Sequence, residues 1–257
     1  MDLGLNGKRA LVLGASRGLG AAIADTLADE GASVIAAARN GAAIEKRAEK
    51  LKGELHALEL DLADAEAIDQ ALNDILVEGG IDILVNNSGG PPPGAAAETD
   101  RADWIKYFDS MAANIFHITQ RILPGMRESG WGRVITLTSS GVAQPIPNLA
   151  LSNGIRSALV GWSKTLSNEV AQDGVTVNVV MPGRIHTDRV DQLDAAAAKR
   201  SGKAVAEVAA ASAAAIPAGR YGDPQEFADV VAFLASERAS YVTGTCIRID
   251  GGAIKGI

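Results

Sequence analysis

The stretch "RALVLGASRGLGAAI", residues 9–23, decides the fold. Its first five residues are a short aliphatic run of the kind that forms a strand, and Gly14, Gly18 and Gly20 follow at once. Leu19, Ile23 and Leu27 then recur every four residues, which marks a helix burying one apolar stripe. Strand, glycine turn and helix in that order make the first unit of an alternating pattern.

Six further runs read as strands: "SVIAAA" (33–38), "ELHALEL" (54–60), "IDILV" (81–85), "RVITLT" (133–138), "VTVNVV" (175–180) and "TCIRI" (245–249). Helical stretches separate them, as with Ile68, Leu72 and Ile75 between the third and fourth. Strands with almost no polar alternation must be covered on both faces, and alternating helices supply that cover. The expectation is an α/β, doubly wound, parallel seven-stranded sheet, Rossmann-like, in a single domain over 1–257, with ligands at the carboxyl ends of the strands. The alanine-rich segment 191–215, "DQLDAAAAKRSGKAVAEVAAASAAA", is helix-prone and reads either as part of a lid around 184–216 or as a plain surface insertion.

A chain of 257 residues, 47% hydrophobic and 21% charged, can bury a large core. No run approaches the roughly 18 uncharged apolar residues of a membrane span. The N-terminus enters a strand pattern without the order of a secretory signal, which predicts a cytoplasmic protein. The net charge is −7 with Lys and Arg scattered, which argues against nucleic acid as a partner. Only "AKRSGK" (198–203) is locally basic, as a solvated helix end would be. The lone Cys246 has no partner for an internal disulfide and is expected to be a small buried side chain. No metal-ligand pattern stands out.

Glycines 14, 18 and 20 between strand and helix permit a tight turn and close approach of a pyrophosphate to helix N-terminal amides. A packing turn is the alternative. NAD sites place a carboxylate at the end of the second strand, whereas here it ends in Ala37, Ala38 and Arg39. Arg39 and Arg17 are instead placed to grip a 2′-phosphate, which favours NADP over NAD; two solvated arginines are the bland reading.

The motifs "GASRGLG", "LDL" around Asp61, "NNSG" (86–89), "GRVITLTSS" (132–140), "VTVNVVMPGRIHT" (175–187) and "ASYVTGTCIRIDGG" (239–252) together resemble the short-chain dehydrogenase/reductase family, in the pattern of bacterial 3-oxoacyl-carrier-protein reductases. The resemblance covers the whole chain. It implies cofactor contacts from Ser16 and Leu19 in the glycine loop and from Asp61 and Leu62 at the adenine. Asn87, Ser88 and Gly89 would lie along the adenosine ribose and central strand, and Pro182, Gly183, Ile185 and Thr187 at the nicotinamide end. It also implies a homo-oligomer, a tetramer built from the long helices.

The family's catalytic asparagine, serine, tyrosine and lysine fall, by this resemblance, on Met111, Ser139, Ser152 and Arg156. Only the serine is kept. A phenol beside a lysine donates the proton that accompanies hydride transfer; a serine is a much weaker acid, and an arginine keeps the charge without readily giving up a proton. Residues four beyond Tyr107, Tyr221 and Tyr241 are Met111, Gln225 and Thr245, so none re-creates the pair. His186 has the right ionisation range but reads more simply as a loop histidine. Pro91, Pro92 and Pro93 predict a stiff, rather apolar wall after the fourth strand.

Two functions follow. One is an NADP-dependent oxidoreductase acting on a small-molecule carbonyl or secondary alcohol, with Ser139, Ser152 and Arg156 polarising the oxygen. The other is a nucleotide-binding sensor or scaffold that has lost reductase chemistry.

Overall fold

Alternation along single strands divides the core in two. In β1 (Arg9–Leu13), Ala10 and Val12 point into one apolar layer with Ile23 and Leu27, while Leu11 and Leu13 point into the other with Ile68 and Leu72. Both faces of the strand are therefore buried, which is why its sequence shows no polar alternation.

The computed structural model describes residues 1–256. β1 is joined by β2 (Ser33–Ala38), β3 (Leu55–Glu59), β4 (Ile83–Asn86), β5 (Gly132–Leu137), β6 (Val175–Pro182) and β7 (Cys246–Ile249), in the order β3-β2-β1-β4-β5-β6-β7, all parallel. The seven strands are those read from the sequence, with ends moved by a residue or two. The order reverses direction between β1 and β4, and sheets of this kind bind ligands at that point, outside the carboxyl ends of the strands.

On one face lie α1 (Gly18–Asp29), α2 (Gly41–Ala48) and, later in the chain, a helix over Pro224–Ala235; on the other lie α3 (Ala65–Val77), α4 (Arg101–Phe108), α5 (Asn114–Glu128) and α6 (Ala150–Val170). A single π turn, Asp109–Ala113, joins α4 to α5. α6 buries Leu151, Ile155, Leu159 and Leu166 as a stripe, and that packing fixes the rotation of Arg156 beside Ile155.

After β6 the alanine-rich region forms a helical hairpin, α7 (Asp188–Ser201) and α8 (Val205–Ala214), before α9 (Pro224–Ala235). α7 ends with Lys199 and Arg200 in its last turn and Gly202 left-handed at φ 68°, so the locally basic stretch is a helix end. The expectation for Cys246 is corrected: it is exposed. β7 is an edge strand, and Cys246 and Arg248 alternate along it as its exposed residues. Among the described residues no helix is long and apolar enough to cross a membrane.

Candidate functional site

The glycine turn lies where the strand order reverses. Gly14 and Gly18 have φ of 63° and 59°, a region that costs residues with a Cβ, and a Cβ on Gly20 would stand 2.3 Å from the Gly14 carbonyl oxygen. A Cβ at Gly18 would meet only Thr187 Cγ2 at 3.6 Å, an ordinary contact. The first turn of α1 carries no acidic residue. A diphosphate fits this cradle of main-chain amides, space and helix N-terminal field.

Two side chains hold the turn. Asn87 Nδ2, just beyond β4, donates to the carbonyl oxygens of Leu13 and Gly14 at 3.2 and 3.3 Å. Asn87 therefore acts as a brace, and the neighbouring Gly89 is exposed with open space about it. Arg47 on α2 donates to Ala15 and Ser16 carbonyls at 2.8 and 3.3 Å while its Nε binds Asp25 at 2.6 Å. Sequence reasoning missed Arg47, because nothing local ties an arginine on the next helix to the loop.

Just beyond β2, Arg39 is exposed and in no ion pair among the described residues. Arg17 reaches Asp188 at 3.7 Å, with both side chains 70% exposed, a contact too solvated to hold it there. Asp61 is exposed, its Oδ1 accepting from Ala63 N–H at 3.0 Å. The Leu62 carbonyl accepts from Asn114 Nδ2 at 2.8 Å. Asn114 is buried and was also missed; it fixes the turn after β3 against α5.

At the other end Pro182 closes β6, and Gly183 N–H donates to Ile249 at 2.9 Å. Ile185 sends its side chain into the core, 4% exposed, which leaves only its main chain to face a ligand. Thr187 stands at the start of α7 beside Gly18 and so closes one wall of the groove. His186 is exposed, with Nε2 3.5 Å from Asp191, as a loop histidine would be.

Ser139 stands two residues beyond β5, half-buried, its Oγ accepting from Gly141 N–H at 3.0 Å. Arg156 is buried, 8% exposed; Nη1 donates to the Leu137 carbonyl at 3.1 Å and Nη2 to the Ser88 carbonyl at 3.5 Å. It has no carboxylate within 4 Å among the described residues. Burial, and then repulsion from Arg189, pushes its pKa down to about 10, which still leaves it cationic at neutral pH. Ser152 is half-buried one helical turn earlier on α6. Arg156 thus ties α6 to the end of β5 and to the segment after β4.

Met111 is not in this cleft: it is 2% exposed inside the π turn, packed in the second apolar layer. Nor is any phenol presented there. Tyr107 packs against the same layer, Tyr221 donates to Asp194 at 2.6 Å, and Tyr241 is fully exposed. Asp194, 2% exposed on α7, also binds Arg184 at 2.5 Å, tying the hairpin to the end of β6. A cavity of about 510 Å³ lies beneath the hairpin, lined by Asp194, Tyr221, His186 and Val205.

The family model described as enoyl-(acyl carrier protein) reductase matches residues 14–253. The chain is 36% identical over 253 residues to the 3-oxoacyl-[acyl-carrier-protein] reductase of Vibrio cholerae, covering 97% of this chain and 98% of that one. The solved structure of L-sorbose reductase from Gluconobacter frateurii, complexed with NADPH and L-sorbose, is similar with a TM-score of 0.93 and 32% identity, covering both chains fully. So is YwfH, an NADPH-dependent reductase involved in bacilysin biosynthesis, with a TM-score of 0.92 and 31% identity over 97% of this chain and 99% of that one. With the glycine cradle, the strand order and these full-length matches in agreement, the chain belongs to the short-chain dehydrogenase/reductase family.

Proposed function

We propose that this chain is an NADP-dependent oxidoreductase acting on a carbonyl or secondary alcohol, with Ser139, Ser152 and Arg156 as its polar set. The observation that carries the reading is a buried, unpaired Arg156 at the carboxyl ends of β4 and β5, next to an intact nucleotide cradle. Full-length relatives are reductases, which supports an enzyme over a sensor or scaffold. Neighbours bound to NADPH support NADP, and so does the absence of an acidic side chain at the end of β2, where Arg39 stands.

Asn87 and Arg47 hold the glycine turn in the shape a diphosphate needs. Arg39, Arg17 and Ser16 surround the place of a 2′-phosphate. When bound, the nicotinamide supplies or accepts the hydride. Ser152 and Arg156 stand where the family resemblance puts tyrosine and lysine, so charge takes over from acidity. The Arg156 cation, with hydroxyls from Ser139 and Ser152, stabilises the oxyanion that develops as hydride reaches the carbonyl carbon. The proton comes from water through half-exposed Ser152. The α7–α8 hairpin, within 184–216, serves as a lid anchored by Asp194.

The reading extends to a cytoplasmic homo-oligomer, a tetramer. Trp104, Ile105 and Phe108 on α4 line an open apolar hollow, with Ile105 and Phe108 52% and 41% exposed, which favours a second copy there. Sedimentation giving a monomer at micromolar concentration contradicts that part. The function is tested by NADPH oxidation with ketones in Ser139→Ala and Arg156→Ala. Loss in both supports the reading; unchanged turnover in both removes these residues from the mechanism.

A further inference from the structure

Two guanidinium groups, from two different helices, hold one short segment of chain. Arg156, on α6, donates to the Ser88 carbonyl, and Arg189, in the first turn of α7, donates to the Pro91 carbonyl at 3.4 Å and lies beside Gly90. No carboxylate of α7 lies within 4 Å of either guanidinium among the described residues: Asp194 binds Arg184 and Tyr221, and Asp188 and Asp191 make only long, solvated contacts with Arg17 and His186. Neither Arg156 nor Arg189 is in an ion pair among the described residues, although the two lie near enough to repel each other.

Two like charges facing one cleft, one of them desolvated, are unfavourable unless an anion joins them. Pro91, Pro92 and Pro93 carry no amide N–H, so this stretch after β4 offers an anion no main-chain donor of its own. An oxyanion there has two sources, the cofactor's diphosphate or the substrate. The diphosphate already has the glycine turn, whereas Arg156 lies at the ends of β4 and β5, next to Ser139.

We infer that the substrate carries a carboxylate near its reacting carbonyl, held between Arg156 and Arg189, so that this reductase takes oxo acids in preference to neutral ketones or esters. The inference rests on the oxidoreductase reading of the same site. Arg189 is here a specificity-determining residue. Each arginine fork matches a carboxylate, and a planar charged pair of this kind discriminates acid from ester strongly.

The test is calorimetric titration of the NADP⁺-loaded protein, in which no reduction can occur, with 2-oxobutanoate, 4-oxopentanoate and 5-oxohexanoate and with their methyl esters. At least one acid is expected to bind about tenfold more tightly than its ester. Arg189→Gln should bring that ratio near unity with NADP⁺ affinity unchanged, and Arg189→Lys should restore part of it. Equal binding of every acid and its ester, or no binding of any acid, overturns the inference. So does an unchanged ratio in Arg189→Gln, or a loss confined to NADP⁺ affinity, which assigns the arginine to the cofactor. NADPH oxidation with the same compounds is read separately: acid-selective binding without oxidation of any ketone refutes the oxidoreductase reading and leaves the carboxylate site standing.

Discussion

Nη1 of Arg156 lies 3.1 Å from the carbonyl oxygen of Leu137, which pins a buried cation to β5 two residues short of Ser139. The guanidinium is thereby fixed in position before any substrate arrives, and it has no carboxylate to neutralise it. Its folded-state pKa is about 10, below its ordinary value, and the gap corresponds to about 3 kcal/mol against the charged form.

That gap sets a pH window. A base with a depressed folded pKa destabilises the fold at all pH values below about 10, and the penalty is relieved as pH rises through that value. Catalysis runs the other way, because the cation is the working form. Carbonyl reduction should hold steady with respect to this group up to about pH 9 and fall as Arg156 deprotonates near 10. A pH–rate profile with no such descending limb refutes this role.

Replacing the cation separates stability from function. Arg156→Met removes a desolvated charge and two hydrogen bonds, effects of opposite sign, so Tm should move by less than about 5 °C. Turnover should fall by about 100-fold or more. A thermal melt beside a rate measurement checks both, and a collapse of Tm with the rate would make Arg156 structural.

The glycine turn is predicted to fail at one atom. A Cβ at Gly20 would meet a main-chain oxygen at 2.3 Å, which no side-chain rotation relieves. Gly20→Ala should weaken NADPH binding by about tenfold or more. Gly18→Ala meets no such wall and carries only the cost of a left-handed φ, about 1–2 kcal/mol. Fluorescence titration of both variants checks that order.

Cofactor choice should sit at the end of β2. Arg39→Ala is expected to raise the Kd for NADPH by about tenfold while leaving that for NADH within a factor of about two. Equal losses for the two nucleotides would place Arg39 outside the 2′-phosphate site.

The α7–α8 hairpin hangs on a buried carboxylate. Asp194→Ala leaves the partly exposed Arg184 and the Tyr221 hydroxyl without this partner, a loss of about 1–3 kcal/mol. The hairpin contributes few other buried side chains, so it should loosen while the sheet stays folded. Protease sensitivity confined to residues 188–214, with KM raised more than kcat is lowered, is the expected result.

Strand and helix periodicity made the sheet legible, since β1, β2, β4, β5 and β6 are mostly apolar runs buried on both faces, whereas the edge strands β3 and β7 carry exposed polar residues. Cys246 was misread because a run such as "TCIRI" looks alike in a central and an edge strand, and position in the sheet is set by topology. Gly14, Gly18 and Gly20 were legible because backbone geometry admits few alternatives there. Arg47, Asn114, Asp194 and Arg189 were not. Each acts on a segment tens of residues away in the chain, and such pairings appear only once the crossovers have brought the elements together. Ser139, Ser152 and Arg156 were found through a family pattern; the absence of a counter-charge around Arg156 needed the fold.

The most direct test is fluorescence titration of the purified protein with NADPH and NADH, followed by NADPH oxidation across a panel of ketones and oxo acids. Tighter binding of NADPH together with measurable oxidation of at least one carbonyl compound is the predicted result. Tight NADPH binding with no oxidation of any compound, restored only by Ser152→Tyr with Arg156→Lys, would contradict the account and make the chain a nucleotide-binding protein without reductase chemistry.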